Sequence, residues 1–321
     1  MKHVAGLALL LGIALAPGPL RAQAWPERPI TLVVPYAPGG YTDLTARLTA
    51  RYLEKALGKP IVVDSRPGAG GIVGTQAVAS AAPDGYTFCV CSVGAISVAP
   101  FAQKVGYDPI KDLAPVSIIS TIVQAVVVKK ALPVTTMAEL VAYAKKQNAP
   151  LQYTTGGIGS YGHLWWEMFR ARQGIDGQHV AYNGIAPALK DVVGGQVPLL
   201  IDAIVPTGAQ VKAGAVRGLA IVTAQRAKSL PDVRTLTEQG YAGLDAAPFY
   251  GILGPANLDP AAQQRLSETL QKALAMPALR DKLQEQGFDV VGSSPDAYAK
   301  LIRDEIERWT KVVQASGIKV E

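Results

Sequence analysis

Residues 153–172, YTTGGIGSYGHLWWEMFRAR, carry G-x-G-x-x-G at Gly157, Gly159 and Gly162, with Ser160 and His163 beside it. Three chemistries use residues of these types. Glycines between a strand and a helix cradle the pyrophosphate of a dinucleotide. A serine with a histidine serves nucleophilic catalysis. A bare helix start, with its unpaired N–H groups and partial positive charge, holds a small anion. The dinucleotide reading lacks its companion acid, which belongs at the end of the next strand to bind the ribose. That strand, GQHVAYN, ends on Tyr182 and Asn183, and Asp176 precedes it. The hydrolase reading lacks its elbow, because G-x-S-x-G needs glycine at Ile158. Ser160 and His163, three residues apart, fit a helix cap and a first-turn polar residue. The small-anion reading remains.

A second loop repeats the design. VVPYAPGGYTDLTARL runs from a strand through Pro38-Gly39-Gly40 into a helix, with Thr42 or Asp43 as the expected cap. Neither loop holds a lysine or arginine, within 154–163 or between Val34 and Leu44. An anion there would rest on amides, hydroxyls and water. Each well-made hydrogen bond to its charge contributes about 1.5–3 kcal/mol, and the helix dipole adds roughly 0.3–1 kcal/mol. These magnitudes suit a small, reversible ligand. RPGAGG at Arg66–Gly71 lacks the G-K-[ST] of a phosphate loop and reads as a structural turn. Cys89 and Cys91, alternate residues of a strand, are expected as two buried thiols, since strand spacing puts their Cα atoms near the upper limit for a disulfide. With His163 and His179 the only histidines after the first 24 residues, no metal site is expected, nor any cofactor.

These loops need elements to aim them. β-branched runs alternate with helical patterns: ITLVVPYA, DLTARLTARYLEKALG, PIVVDSRPG, GIVGTQAVASAA, YTFCVCS, then APVSIISTIVQAVVVKK. TMAELVAYAKKQ follows, opened by a capping box at Thr136 and Glu139. LQYTTG, LWWEMFRARQG, GQHVAYN, APALKDVVGG, VPLLIDA and LAIVTA continue the alternation. The pattern predicts α/β architecture with mostly parallel sheets. After FYGILGPANL the chain turns helix-rich, with Asp259-Pro260 and Ser294-Pro295 as helix starts and Gly317 as a helix stop.

Two extended apolar segments, SIISTIVQAVVV and APFYGILGPA, read as crossings between domains. They divide the chain into 25–124 plus 247–321, and 125–246. Residues 1–24 read as an export signal: Lys2, the apolar run VAGLALLLGIALA, and Ala22-Gln23-Ala24 as cleavage site. Cleavage removes Lys2 and Arg21 and no acid, so the formal charge falls from +6 to +4. The remaining charges are interspersed, as in RLSETLQKALAMPALRDKLQEQG, a solvated surface rather than a nucleic-acid stripe.

WPERPITLVVPYAPGGYTD, VVDSRPGAGGIVGTQAVASAAPDGYT, YDPIKDLAPVS, YTTGGIGSYGHL, HVAYNGIAPALKDVVGGQV, LPDVRTLTEQG and the C-terminal GSSPDAYAKLIRDEIERWTKVVQASGI together resemble the tripartite tricarboxylate transporter substrate-binding proteins, also called the Bug family. The resemblance covers essentially all of 25–321. It implies a periplasmic type II solute-binding protein fold, two α/β lobes joined by two crossing hinge strands, closing as a monomer on a small carboxylate rather than acting as an enzyme. It implies, as partners, transporter membrane subunits or a sensor receptor. Carried onto this chain, the carboxylate loop of the first lobe is Tyr36, Pro38, Gly39, Gly40, Tyr41 and Asp43. That of the second lobe is Thr155, Gly157, Ser160 and His163, with Ser92 and Asp202 lining the cleft. The chain departs from the family at Tyr41, at CVCSVGAISVAP with Ala99, and at Ala203, where an asparagine is common. These changes predict a less polar cleft, suited to an aromatic or mostly apolar monocarboxylate.

Overall fold

The computed structural model describes residues 25–316 except 103, 158, 159, 183 and 246. The expected export segment, Gly159, Ile158, Asn183 and Gly317 lie outside the described residues. Trp25 is the first described residue. Its indole donates to the Gly85 carbonyl at 3.0 Å and packs on Tyr86.

The chain opens β1 (Ile30–Val34), α1 (Tyr41–Leu57), β2 (Ile61–Ser65), α2 (Ile72–Ala79), β3 (Thr87–Ser92). A π-helical turn, Gly94–Val98, leads into α3 (Ala99–Ala102), then β4 (Leu113–Ile122) and β5 (Gln124–Lys129). The middle is α4 (Met137–Lys146), β6 (Leu151–Tyr153), α5 (Tyr161–Gln173), β7 (Gly177–His179), α6 (Ile185–Val193), β8 (Leu199–Ala203), α7 (Ile204–Lys212) and β9 (Val216–Ile221). The last part is β10 (Phe249–Pro255), α8 (Pro260–Ala275), α9 (Pro277–Glu285), β11 (Phe288–Val290) and α10 (Pro295–Ser316).

The strands form a six-stranded sheet, β11-β4-β10-β3-β1-β2, and a three-stranded sheet, β8-β5-β9. A parallel pair, β6-β7, reaches the second sheet through a bridge from Thr154 to Leu200. The first sheet draws on 30–122 and 249–290, the second on 124–221. The long run read as one strand breaks at Val123, where β4 leaves one sheet and β5 enters the other.

Strand direction differs from the expectation. β1 pairs in parallel with β2 and β3, but β10 is antiparallel to β3 and β4, β11 to β4, and β5 to both its neighbours. The cause is the crossings: a chain entering a sheet from the neighbouring body runs opposite to strands fed by local crossover helices.

Alternation sorts the core. Leu32, Val34, Phe88 and Val90 face Leu53, Leu266, Leu270 and Leu279 of α1, α8 and α9. Val33, Cys89 and Cys91 face the other way, in a cluster that includes Ile96, Tyr298, Ile302 and Trp309 and continues to Leu164, Trp165 and Phe169 of α5. In the second sheet Ala125, Val127 and Leu200 pack on α6 and α7. Trp165, Trp166 and Trp309 are fully buried, each a contribution of about 1.5–3 kcal/mol or more.

The cysteines also differ from the expectation of two thiols. Cys89 and Cys91 are joined as a disulfide, with Cα atoms 5.5 Å apart. Ideal strand spacing gives about 6.5 Å, so β3 is shortened here into the ordinary disulfide range. Among the described residues no helix is long and apolar enough to cross a membrane, and no group of three or more His, Cys, Asp or Glu is placed to hold a metal ion.

Candidate functional site

A cavity of about 450 Å³ lies where the two sheets' loops meet, within the size range of small-molecule sites. From the first body come Tyr36, Gly40, Tyr41, Thr42, Gly70, Ser92, Val93, Gly94 and Val98; from the second, Gly156, Gly157, Ser160, Tyr161, Gly162, Leu164, Ile185, Asp202 and Ala203. Both crossings contribute as well: Ile122 and Gln124 from one, Pro248 and Tyr250 from the other. Asp202 is the one charged side chain among these residues.

The structure therefore brings Tyr36, Gly40, Tyr41, Ser92, Gly157, Ser160 and Asp202 to one cavity. Pro38, Gly39, Asp43, Thr155 and His163 are not among the lining residues, and Pro38 and Gly39 are exposed. Gly40, not Thr42 or Asp43, occupies the N-cap of α1, and no side chain caps that helix. Asp43 lies inside the first turn and folds back. It accepts from the Gly39 N–H at 3.0 Å and from Arg47 Nε at 2.9 Å. Burial works against its ionisation, but the Arg47 guanidinium and the Gly39 amide outweigh it and hold the carboxyl below its ordinary pKa. The tip of α1 thus brings Gly40, Tyr41 and Thr42 to the cavity without a side-chain cap. A Cβ built at Gly40 would meet only the Ala37 carbonyl, at 3.7 Å.

The tip of α5 is organised differently. Ser160 is its N-cap and accepts from the His163 N–H at 3.4 Å. The Ser160 hydroxyl donates to Thr155 Oγ1 at 3.0 Å, which also takes the Gly157 N–H at 3.2 Å and meets His179 Nε2 at 3.0 Å. The His163 ring stacks on His179, centroids 4.1 Å apart, so it lies with that ring behind the loop. Burial, then the neighbouring His163, push the His179 pKa down to about 4. Burial likewise lowers His163. Gly162 is a packing glycine, since a Cβ there would overlap the Ile201 carbonyl.

Aromatic and apolar groups fill the walls. Tyr41 and Tyr250 each meet the Phe288 ring edge-on, at 5.9 and 5.7 Å. Tyr36 shares a 2.7 Å hydrogen bond with Ser92. Tyr161 packs edge-on against Trp309 at 5.2 Å. Burial, then the charge of Asp202, raise the Tyr41 pKa to about 12, and burial raises that of Asp202 to about 6.

Sequence reasoning did not single out Gln124, Pro248 or Tyr250, which sit in apolar runs indistinguishable from core, nor Tyr161, which stands inside the second glycine loop between Ser160 and Gly162. Gly70, within the segment read as a structural turn, also reaches the cavity.

The sequence profile described as "Tripartite tricarboxylate transporter family receptor" matches residues 45–318. The chain belongs to that family. It is 33% identical to Protein BugT of Bordetella pertussis, over 100% of this chain and 99% of that one. Its fold matches the periplasmic binding protein BugD with a TM-score of 0.75 and 32% identity, covering 92% of this chain and 99% of that one. It also matches R. palustris Rpa4515, solved with adipate, with a TM-score of 0.78 and 35% identity over 92% of this chain and 99% of that one. As a family member the chain has the two-lobed solute-binding architecture.

Proposed function

We propose that this receptor-family chain works in the periplasm, captures a small carboxylate between lobes formed by 25–124 plus 247–321 and by 125–246, and delivers it to the membrane subunits of a tripartite tricarboxylate-type transporter. The observation that carries the reading is the uncapped tip of α1 at a cavity of about 450 Å³ whose lining, among the described residues, contains no lysine or arginine. First-turn amides and the helix dipole attract a carboxylate there without a fixed counter-ion, which suits capture and release. The adipate held by Rpa4515 supports the same ligand class.

Tyr41, Tyr250, Val93, Val98, Ile122, Leu164 and Ile185 favour an aromatic or mostly apolar body on that acid. Ligand contacts from both lobes select the closed arrangement, because they form together only when the lobes meet. The test is native mass spectrometry of the protein as purified, followed by calorimetry with benzoate-like, aliphatic and dicarboxylic acids. Retention and binding of a small acid is the expected result. Failure of every carboxylate to bind, or preference for succinate and glutamate over benzoate-like acids, would overturn the ligand class or the body preference respectively.

A further inference from the structure

The two walls of the cavity are unequal. On the α1 side the first-turn amides are uncapped. On the α5 side, among the described residues, three amides of the loop and first turn that stand near the cavity already have partners. The Gly157 N–H is taken by Thr155, the His163 N–H by Ser160, and the Gly156 N–H by Asp202. Asp202 sits at the end of β8, where Oδ1 also accepts the Ala203 N–H at 2.6 Å. Its Oδ2 lies so close to Gly156 that a Cβ there would stand 2.6 Å away. Among the described residues Asp202 has no ion-pair partner. Tyr41 from α1 and Tyr250 from β10 are the titratable groups that face it.

A ligand carboxylate gains at the α1 tip and loses beside Asp202. A second carboxylate reaching the far wall would meet a like charge in a cavity lining that holds no cation. A hydroxyl, amide or ammonium there would instead donate into the open lone pairs of Asp202. We infer that Asp202 selects for a hydrogen-bond donor at the end of the ligand remote from its carboxylate, so that the preferred solutes are monocarboxylates with an apolar body and a hydroxyl, amide or ammonium terminus. This rests on the carboxylate-capture reading above and narrows it.

The test is calorimetry on two matched series. One is hexanoate, its ω-hydroxy and ω-amino derivatives, adipate monoamide and adipate. The other is para-toluate, para-hydroxybenzoate, para-carbamoylbenzoate and terephthalate. Each is titrated into the wild-type protein and Asp202→Asn at about pH 8 and about pH 5. In the wild type at pH 8, donor-ended acids of at least one series should bind roughly tenfold or more tighter than the methyl-ended and the doubly charged members. Asp202→Asn should raise affinity for the dicarboxylate and so narrow the gap between it and the donor-ended acids. Should Asp202→Asn fail to fold, the wild-type pH dependence decides. The dicarboxylate should strengthen on acidification, as Asp202 takes up a proton, while the methyl-ended acid does not. Equal binding of dicarboxylate and donor-ended acids at both pH values overturns the inference while sparing carboxylate capture. Binding by no member of either series overturns both.

Discussion

At the scale of single residues, two half-buried groups carry opposite pH signatures. The folded pKa of Asp202, about 6, stands above the ordinary 3.8. Its contribution to stability is therefore full below pH 3.8 and lost as pH rises through about 6. Asp202→Asn should be more stable than wild type at about pH 8, by on the order of 1–3 kcal/mol, and show no such gain at about pH 4. Urea unfolding at the two pH values checks this, and equal stability of the two proteins at pH 8 would remove it. His179 has the other sign. Its pKa falls from 6.5 to about 4, so its contribution is full above pH 6.5 and lost as pH falls towards 4. Thermal melts of His179→Asn should show a flatter acid limb than wild type. The sequence made Asp202 visible through its family motif but not its charge state, which depends on Gly156 and on the absence of a cation in the cavity lining. Gln124 and Tyr250 were invisible for another reason: they stand on the crossings, where a continuous apolar run hides which face meets a cavity.

At the scale of elements, the glycines of the two loops separate by task. Gly162 lets α5 lie directly on β8, so Gly162→Ala should lower stability by about 2 kcal/mol or more, measurable as a fall in Tm. Gly40 has room for a side chain, and that room is the cavity. Gly40→Val should keep the Tm within a few degrees yet weaken carboxylate binding at least tenfold in calorimetry, and unchanged affinity would detach α1 from the site. Most elements were legible because each matches a pattern: β1, β3 and β8 are short apolar runs, α1 and α8 repeat every three to four residues, and Asp259 caps α8 as its Asp-Pro start implies. The π-helical turn Gly94–Val98 and α7 were not, since GAISV and IVPTGAQVK carry no amphipathic pattern. Strand direction was misread because local periodicity records which residues face inward, not which way the chain entered the sheet.

At the scale of the whole molecule, one contact beside the cavity joins the β11 end of the first sheet to α7. A Cβ at Gly287, beside β11, would overlap Val205 of α7. Val205→Ala should loosen this contact, lowering ligand affinity severalfold while leaving unfolding unchanged, and small-angle scattering should show a more open ligand-free particle. Unaltered affinity and scattering would mean the contact has no part in closure. A last feature turns the molecule into its own instrument. Tyr161 forms part of the cavity wall and meets the fully buried Trp309 of α10 edge-on. Any solute that shifts the phenol ring alters the surroundings of an indole, so ultraviolet emission from the unlabelled protein offers an optical signal with which large collections of acids can be screened.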